Sequence, residues 1–172
     1  MNLRYSFLLL VSLLGVCAAQ STSSRQLDAP LIGVVFHLDS SNQTLKPLPD
    51  EPWTALAHGG IIIPKTGGIA ISGSHSAFRI ASSERTEFVF KIGNPEHVAL
   101  YRCTQGKNER QFSLMQFKGA LGRNHETDPG VPVLITRFGN SSYRLAPQSP
   151  LTPGEYAVLL SGSKTFTFGI DQ

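Results

Sequence analysis

Between residues 31 and 170 the apolar side chains recur at every second position almost everywhere, in short runs separated by turn residues. Residues 87–92 show it most clearly: Phe88, Phe90 and Ile92 share one face, and Glu87, Val89 and Lys91 the other. A period of two is that of a strand, whereas a helix needs apolar positions three and four apart. Residues 31–38 and 44–48, joined by the turn chemistry of Asp39-Ser40-Ser41-Asn42, predict an opening hairpin. Further strands are expected at 97–103, 111–117, 132–138, 142–146, 155–161 and 165–170. Short runs at this spacing, punctuated by 16 Gly and 11 Pro, exclude long helices. The expected fold is all-β, an immunoglobulin-like or related Greek-key sandwich of about eight to ten strands.

Three stretches carry weaker signals. Residues 50–58 are the best helix candidate, with Asp50 as cap and Pro52 in the first turn; a loop around Trp53 is the alternative. Gly59-Gly60 and Gly67-Gly68 bracket Ile61, Ile62, Ile63 and Pro64, which predicts a short strand between tight turns. Residues 119–130 lack a pattern and read as a surface loop. Near the end, Leu151-Thr152-Pro153-Gly154-Glu155-Tyr156 has the form of a tyrosine corner. There a tyrosine just inside a strand bonds back to the crossing loop, which gives Pro153, Gly154 and Tyr156 structural roles.

The first 19 residues read as a secretory signal: Arg4 in the n-region, an apolar run over 7–16, then Cys17-Ala18-Ala19, with cleavage before Gln20. The run is too short to span a bilayer, and no later stretch approaches the roughly 20 apolar residues required. Lipidation at Cys17 is the lesser alternative, because Val16 stands where a small residue is wanted. Removing 19 residues from 172 leaves 153, with 14 basic residues against 12 acidic ones and Cys103 as the remaining cysteine. A lone cysteine makes no internal disulfide, so the core must supply the stability. Cys103 beside Leu100 and Tyr101 reads as a buried small hydrophobe. Residues 20–30 are expected to be a flexible leader and 31–172 a single domain, exported to the periplasm or beyond and soluble after cleavage.

Gly33-Val34-Val35-Phe36, Leu45-Lys46-Pro47-Leu48, and the ending Pro150-Leu151-Thr152-Pro153-Gly154-Glu155-Tyr156-Ala157 through Phe168-Gly169-Ile170-Asp171 carry a resemblance. The chain resembles a group of small, exported, β-rich bacterial proteins of acidobacterial type. The likeness covers most of the chain beyond the signal, and its specific motifs lie at the two ends. It implies a periplasmic or cell-envelope protein and brings no activity, cofactor or catalytic residue with it.

Local motifs add little chemistry. His37, His58, His75, His97 and His125 are too dispersed for a metal motif, and His125-Glu126-Thr127-Asp128 reads as a polar loop. Gly73-Ser74-His75-Ser76 lacks the fifth glycine and the helix of a nucleophile elbow, so a turn between strands is expected. Gly162-Ser163-Lys164-Thr165 likewise reads as a hairpin turn, not a phosphate loop. Asn42-Gln43-Thr44 and Asn140-Ser141-Ser142 match the glycosylation pattern, which carries no meaning in a bacterium. Between Arg79 and Arg137 lie nine basic and six acidic residues. If Arg102, Lys107, Arg110, Lys118 and Arg123 share a face, they form a cationic patch for an anionic polymer or acidic partner. Solvated strand faces are the alternative.

The expected function is therefore a non-enzymatic envelope module binding a protein or an anionic envelope polymer through a strand edge or loop. No cofactor, metal or nucleic acid is expected. One alternative is a small periplasmic ligand-binding protein or hydrolase, with a site near residues 53–58, His75 and the 119–130 loop. Another is a subunit of an exported assembly, in which the leader donates a strand to a neighbour.

Overall fold

The computed structural model describes residues 27–58, 66–118, 124–160 and 164–172. Thirteen strands lie among them, more than the eight to ten expected. They are β1 (Val35–Asp39), β2 (Thr44–Pro47), β3 (Trp53–His58), β4 (Thr66–Ser72), β5 (Arg79–Ile80), β6 (Phe88–Phe90) and β7 (Val98–Gln105). There follow β8 (Glu109–Lys118), β9 (Asn124–Thr127), β10 (Val133–Phe138), β11 (Ser142–Pro147), β12 (Gly154–Leu160) and β13 (Lys164–Ile170). One 3-10 turn at Pro95–His97, capped by the Asn94 side chain, is the helical element among the described residues.

The strands form two sheets, the all-β sandwich that the alternation predicts. The smaller sheet runs β10-β11-β6-β1-β2 and opens on the expected β1–β2 hairpin. Its turn is tied by the Asp39 carboxylate, which accepts from Ser41 Oγ at 2.5 Å, Asn42 Nδ2 at 3.0 Å and Lys46 Nζ at 3.3 Å. Those bonds, the Ser41 hydroxyl foremost, hold the Asp39 carboxyl well below the usual carboxylate range.

The larger sheet runs β3-β4-β8-β7-β12-β13-β5, with β9 added along β8. One face of its β7-β12-β13 wall meets the smaller sheet. Val35, Phe88, Phe90 and Leu145 from one side pack there with Leu100, Tyr156, Val158 and Phe168 from the other. Phe88 and Phe168 have ring centroids 4.7 Å apart. Each such buried side chain contributes about 1.5–3 kcal/mol of transfer free energy.

The other face of the larger sheet is covered by the sheet itself. The segment just before β3 bridges β13 through Asp50 and Phe166, and Glu51 N donates to Thr165 O at 2.9 Å. The β3 end of the sheet thereby joins its β13 side, and β3, β4, β8, β7, β12 and β13 curl into a small barrel closed at that end. Its interior holds Ile69, Ile71, Tyr101, Cys103, Phe112, Ala157 and Leu159, with Trp53 packed against them. The thiol of Cys103 is buried as expected, and desolvation pushes it up to about 12.

The final hairpin β12–β13 pairs as the sequence predicts. Tyr156 Oη donates to Thr152 O at 2.8 Å, the backward bond of a tyrosine corner. Gly154 adopts φ +152°, and a Cβ there would lie 3.3 Å from the Arg102 guanidinium. That backbone angle is one L side chains rarely adopt, which favours glycine there.

Several local expectations are corrected. Residues 53–58 are a strand and not a helix, because six consecutive residues pair with β4 and outweigh the capping pattern at Asp50. Gly67-Gly68 is not a tight turn; it lies inside β4 at a bulge where the register on β8 shifts. A Cβ on Gly68 would collide with the Phe112 carbonyl, so the bulge requires glycine. The 119–130 stretch contains β9, and Ile61–Ile63 and residues 119–123 lie outside the described residues.

The end of the expected leader, residues 27–30, is not loose. Ala29 is buried with Phe36, Leu38 and Val89 on the outer face of the smaller sheet, and its N–H donates to Ser142 Oγ at 2.8 Å. The Asp28 carboxylate accepts from Asn140 N, Ser141 N and Ser142 Oγ, which lowers its pKa, the Ser142 bond foremost. This segment is bound within its own chain, and residues 20–26 of the leader lie outside the described residues.

Candidate functional site

Five basic residues are the sequence-derived candidates, and four of them, Arg102, Lys107, Arg110 and Lys118, lie among the described residues. Arg110 stands at the start of β8, in phase with core-facing Phe112, so its side chain enters the barrel and is 1% exposed. It is no part of a solvent-facing surface, which corrects the expectation for this residue. Arg102 stays exposed and spends two of its five N–H donors within the chain: Nη1 donates to Thr152 Oγ1 at 2.8 Å and Nη2 to Pro153 O at 3.1 Å. Its guanidinium lies 5.9 Å over the Tyr156 ring, so it braces the tyrosine corner. Lys107 is exposed in the β7–β8 turn, Lys118 ends β8, and Arg123 lies outside the described residues.

Arg110 belongs to a charged cluster that fills the closed end of the barrel. Its Nη2 donates to Glu51 Oε2 at 2.5 Å and to Ser72 O at 3.1 Å, and Nε donates to Gly73 O at 2.9 Å. Nη1 has no hydrogen-bond partner among the described residues and lies 3.9 Å from Glu155 Oε2, a purely electrostatic approach. Glu155 is 1% exposed; Oε2 accepts from Ser76 N at 2.8 Å and Oε1 pairs with Arg79 Nη1. Arg79 continues outward to Asp171 at 2.6 Å, and that bond raises the guanidinium pKa further. Thr167 donates to Glu51 Oε1, and its hydroxyl lies 2.9 Å from Ser76 Oγ.

The turn Gly73-Ser74-His75-Ser76, which joins two strands as expected, caps this cluster. His75 is exposed, with Nδ1 3.4 Å from Glu155 Oε1 and 3.2 Å from Gln105 Nε2. Ser76, by contrast, is buried against Thr167. The carboxylates Glu51 and Glu155 are thus spent on arginines, hydroxyls and a backbone N–H. Chemically, this arrangement locks the barrel end.

The residues of the enzyme alternative are dispersed. Trp53 pairs with Ile71 near the charged end, next to the β4–β5 turn that carries His75. His58 pairs with Thr66 at the opposite end of β3, and Thr66 pairs in turn with Gln116. Trp53 and His58 thus stand at opposite ends of β3, and residues 119–123 of this alternative lie outside the described residues. His37 is buried between Phe78 and Phe88 with Nε2 at 3.3 Å from Arg85 O, and burial pushes its pKa down.

Among the described residues, concave surfaces large enough for a ligand include a groove and a depression. A groove of about 400 Å³ runs between residues 82–87 and 146–151, with Glu84, Arg85 and Gln148 on its walls. The second, about 330 Å³, lies on the outer side of the barrel, where β7 and β8 part after pairing at Thr104–Gln111 and Gln105–Arg110. Arg102, Thr104, Gln111, Ser113 and Asp128 surround it, Leu56 closes one side, and the bare backbone of Gly67-Gly68 forms part of its floor. Asp128 is fixed by its own turn, where Oδ1 accepts from Gly130 N at 2.8 Å. Strands β7 and β8 thus present a guanidinium, a carboxamide and two hydroxyls, and the turn after β9 a carboxylate, around one depression.

Sequence reading missed both groups. Glu155 alternates in phase with Ala157 and Leu159, and Arg110 with Phe112 and Leu114, so charges at core-facing positions were the signal for the cluster. The groove gave no such signal, because Thr104, Gln111 and Ser113 look like any solvated strand face. No protein-family profile, curated protein sequence or solved structure matches this chain.

Proposed function

We propose that the chain is a non-enzymatic binding module of the bacterial envelope, exported through the signal read in residues 1–19. Its ligand is a segment of hydroxyl-rich, anionic envelope polymer held in the groove between Arg102 and Asp128. The observation that carries this reading is the row Thr104, Gln111 and Ser113 beside Arg102, over a floor cleared of side chains by Gly67-Gly68. Hydroxyl and carboxamide groups exchange donor and acceptor roles, which suits a sugar's hydroxyls. A guanidinium suits a carboxylate or phosphate substituent better than an ammonium does.

The internal consumption of Glu51, Glu155, Arg79 and Arg110 supports a binding module over a hydrolase. With Arg110 buried, this reading rests on the groove and not on a cationic patch that includes it. The resemblance to exported, β-rich bacterial proteins is in keeping with the envelope assignment.

Retention on immobilised acidic and neutral polysaccharides tests the reading. The chain should be retained on the acidic polymer, and Thr104→Trp, which fills the groove from an exposed position, should abolish retention. Equal retention of the variant, or no retention on either polymer, would sink the proposal.

A further inference from the structure

The two edges of the smaller sheet are guarded differently. β2 is four residues long, carries Lys46 and ends on Pro47, which are devices that block strand addition. β10 reads Val-Leu-Ile-Thr-Arg-Phe, has an unbroken register with β11, and has no strand on its outer side among the described residues. Gln148 N donates to Pro132 O at 2.9 Å, which fixes the phase of that ladder. Leu134, Thr136 and Phe138 bond to β11, so the N–H and C=O groups of Val133, Ile135 and Arg137 point off the sheet. Leu134 is 55% exposed, and the one charge on the strand, Arg137, is drawn 4.8 Å over the ring of Tyr143. Nothing in this edge repels a second strand.

We propose that β10 pairs with β10 of a second copy, antiparallel, about a two-fold axis through Ile135. In that register Ile135 faces Ile135, Val133 faces Arg137, and Leu134 faces Thr136 on the outer side. The outward backbone groups of all three odd residues then find partners. Arg137 never opposes Arg137, and its aliphatic stem lies along valine. An axis perpendicular to the sheet keeps inner faces inner, so the two smaller sheets continue as one with both cores on the same side. This self-complementarity of charge and face favours a second copy, since a strand with one committed cation gives a foreign acidic segment little to recognise. Gln148 Nε2 reaches Val133 O at 3.3 Å, which leaves that carbonyl its second lone pair. The inference is independent of the groove, which lies on the other sheet.

Sedimentation velocity over a concentration series, combined with amide hydrogen exchange, tests it on the full chain. The expected result is a concentration-dependent dimer in which the Ile135 and Arg137 amides are protected, with exchange faster by about tenfold or more on dilution to monomer. The double variant Leu134→Lys with Thr136→Lys sets like charges across the axis at positions that face solvent in one copy, and it should shift the equilibrium to monomer. A monomer at every concentration overturns the proposal. So does a dimer that the double variant leaves intact, or one whose Ile135 amide stays unprotected.

Discussion

Replacing Arg110 by methionine isolates the charged plug of the barrel. Methionine keeps much of the volume of the arginine stem, so packing is largely preserved while the charge is lost. The guanidinium leaves behind the Glu51 oxygen it met at 2.5 Å, the nearby Glu155, and the carbonyls of Ser72 and Gly73. Breaking a buried pair by removing one partner costs about 3–5 kcal/mol, because the other charge stays buried and uncompensated. With a urea dependence of about 2 kcal/mol/M for a domain of this size, the unfolding midpoint should fall by about 1.5–2.5 M. Adding Glu51→Gln and Glu155→Gln to Arg110→Met removes the stranded charges and should restore more than half of that loss. Urea unfolding followed by Trp53 fluorescence reads all three proteins. A midpoint shift under about 0.5 M for the single variant would refute the reasoning, since it would mean that water already screens the plug. No recovery in the triple variant would show that the tie to Ser72 and Gly73, not charge burial, set the cost.

Tyr156→Phe should cost about 0.5–1.5 kcal/mol in the same assay by deleting the bond to Thr152 O; a neutral result would mean the corner is held elsewhere. Cys103, buried with its thiol pushed up to about 12, should resist aromatic disulfide reagents in the native state and react on unfolding, as mass spectrometry of the labelled site would show. Burial lowers the pKa of His37 in the folded state, so below about pH 6.5 the unfolded chain takes up a proton that the folded one resists. His37 therefore contributes stability that is present above that pH and lost as the pH falls toward the folded value. His37→Gln should flatten the change in urea midpoint between about pH 7.5 and about pH 5.5, and an unchanged slope would place the titration elsewhere.

The strands with one buried face were legible because alternation is local: Phe88 and Phe90, and Phe166, Phe168 and Ile170, declare their strands unaided. The tyrosine corner was legible for the same reason, since Thr152 and Tyr156 are four residues apart. β9 was not, because its Asn-His-Glu-Thr residues are polar on both faces and β8 alone makes them a strand. Residues 53–58 carried a helix-capping pattern that pairing with β4 overrode. The closure of the barrel rests on a bridge between Asp50 and Phe166, which no local pattern encodes. Arg110 looked like a surface cation beside Lys107 until that closure placed it inside. The groove depends on the parting of β7 and β8, and five ordinary polar residues foretell no such event.

The most direct test of the binding account is an amide chemical-shift titration of the full chain with an acidic oligosaccharide cut from envelope polymer. The account predicts saturable shifts concentrated at Gly67, Gly68, Thr104, Gln111 and Ser113, while β10 and residues 82–87 stay in place. Shifts centred on residues 82–87 and 146–151, or no shifts at saturating oligosaccharide, would contradict it.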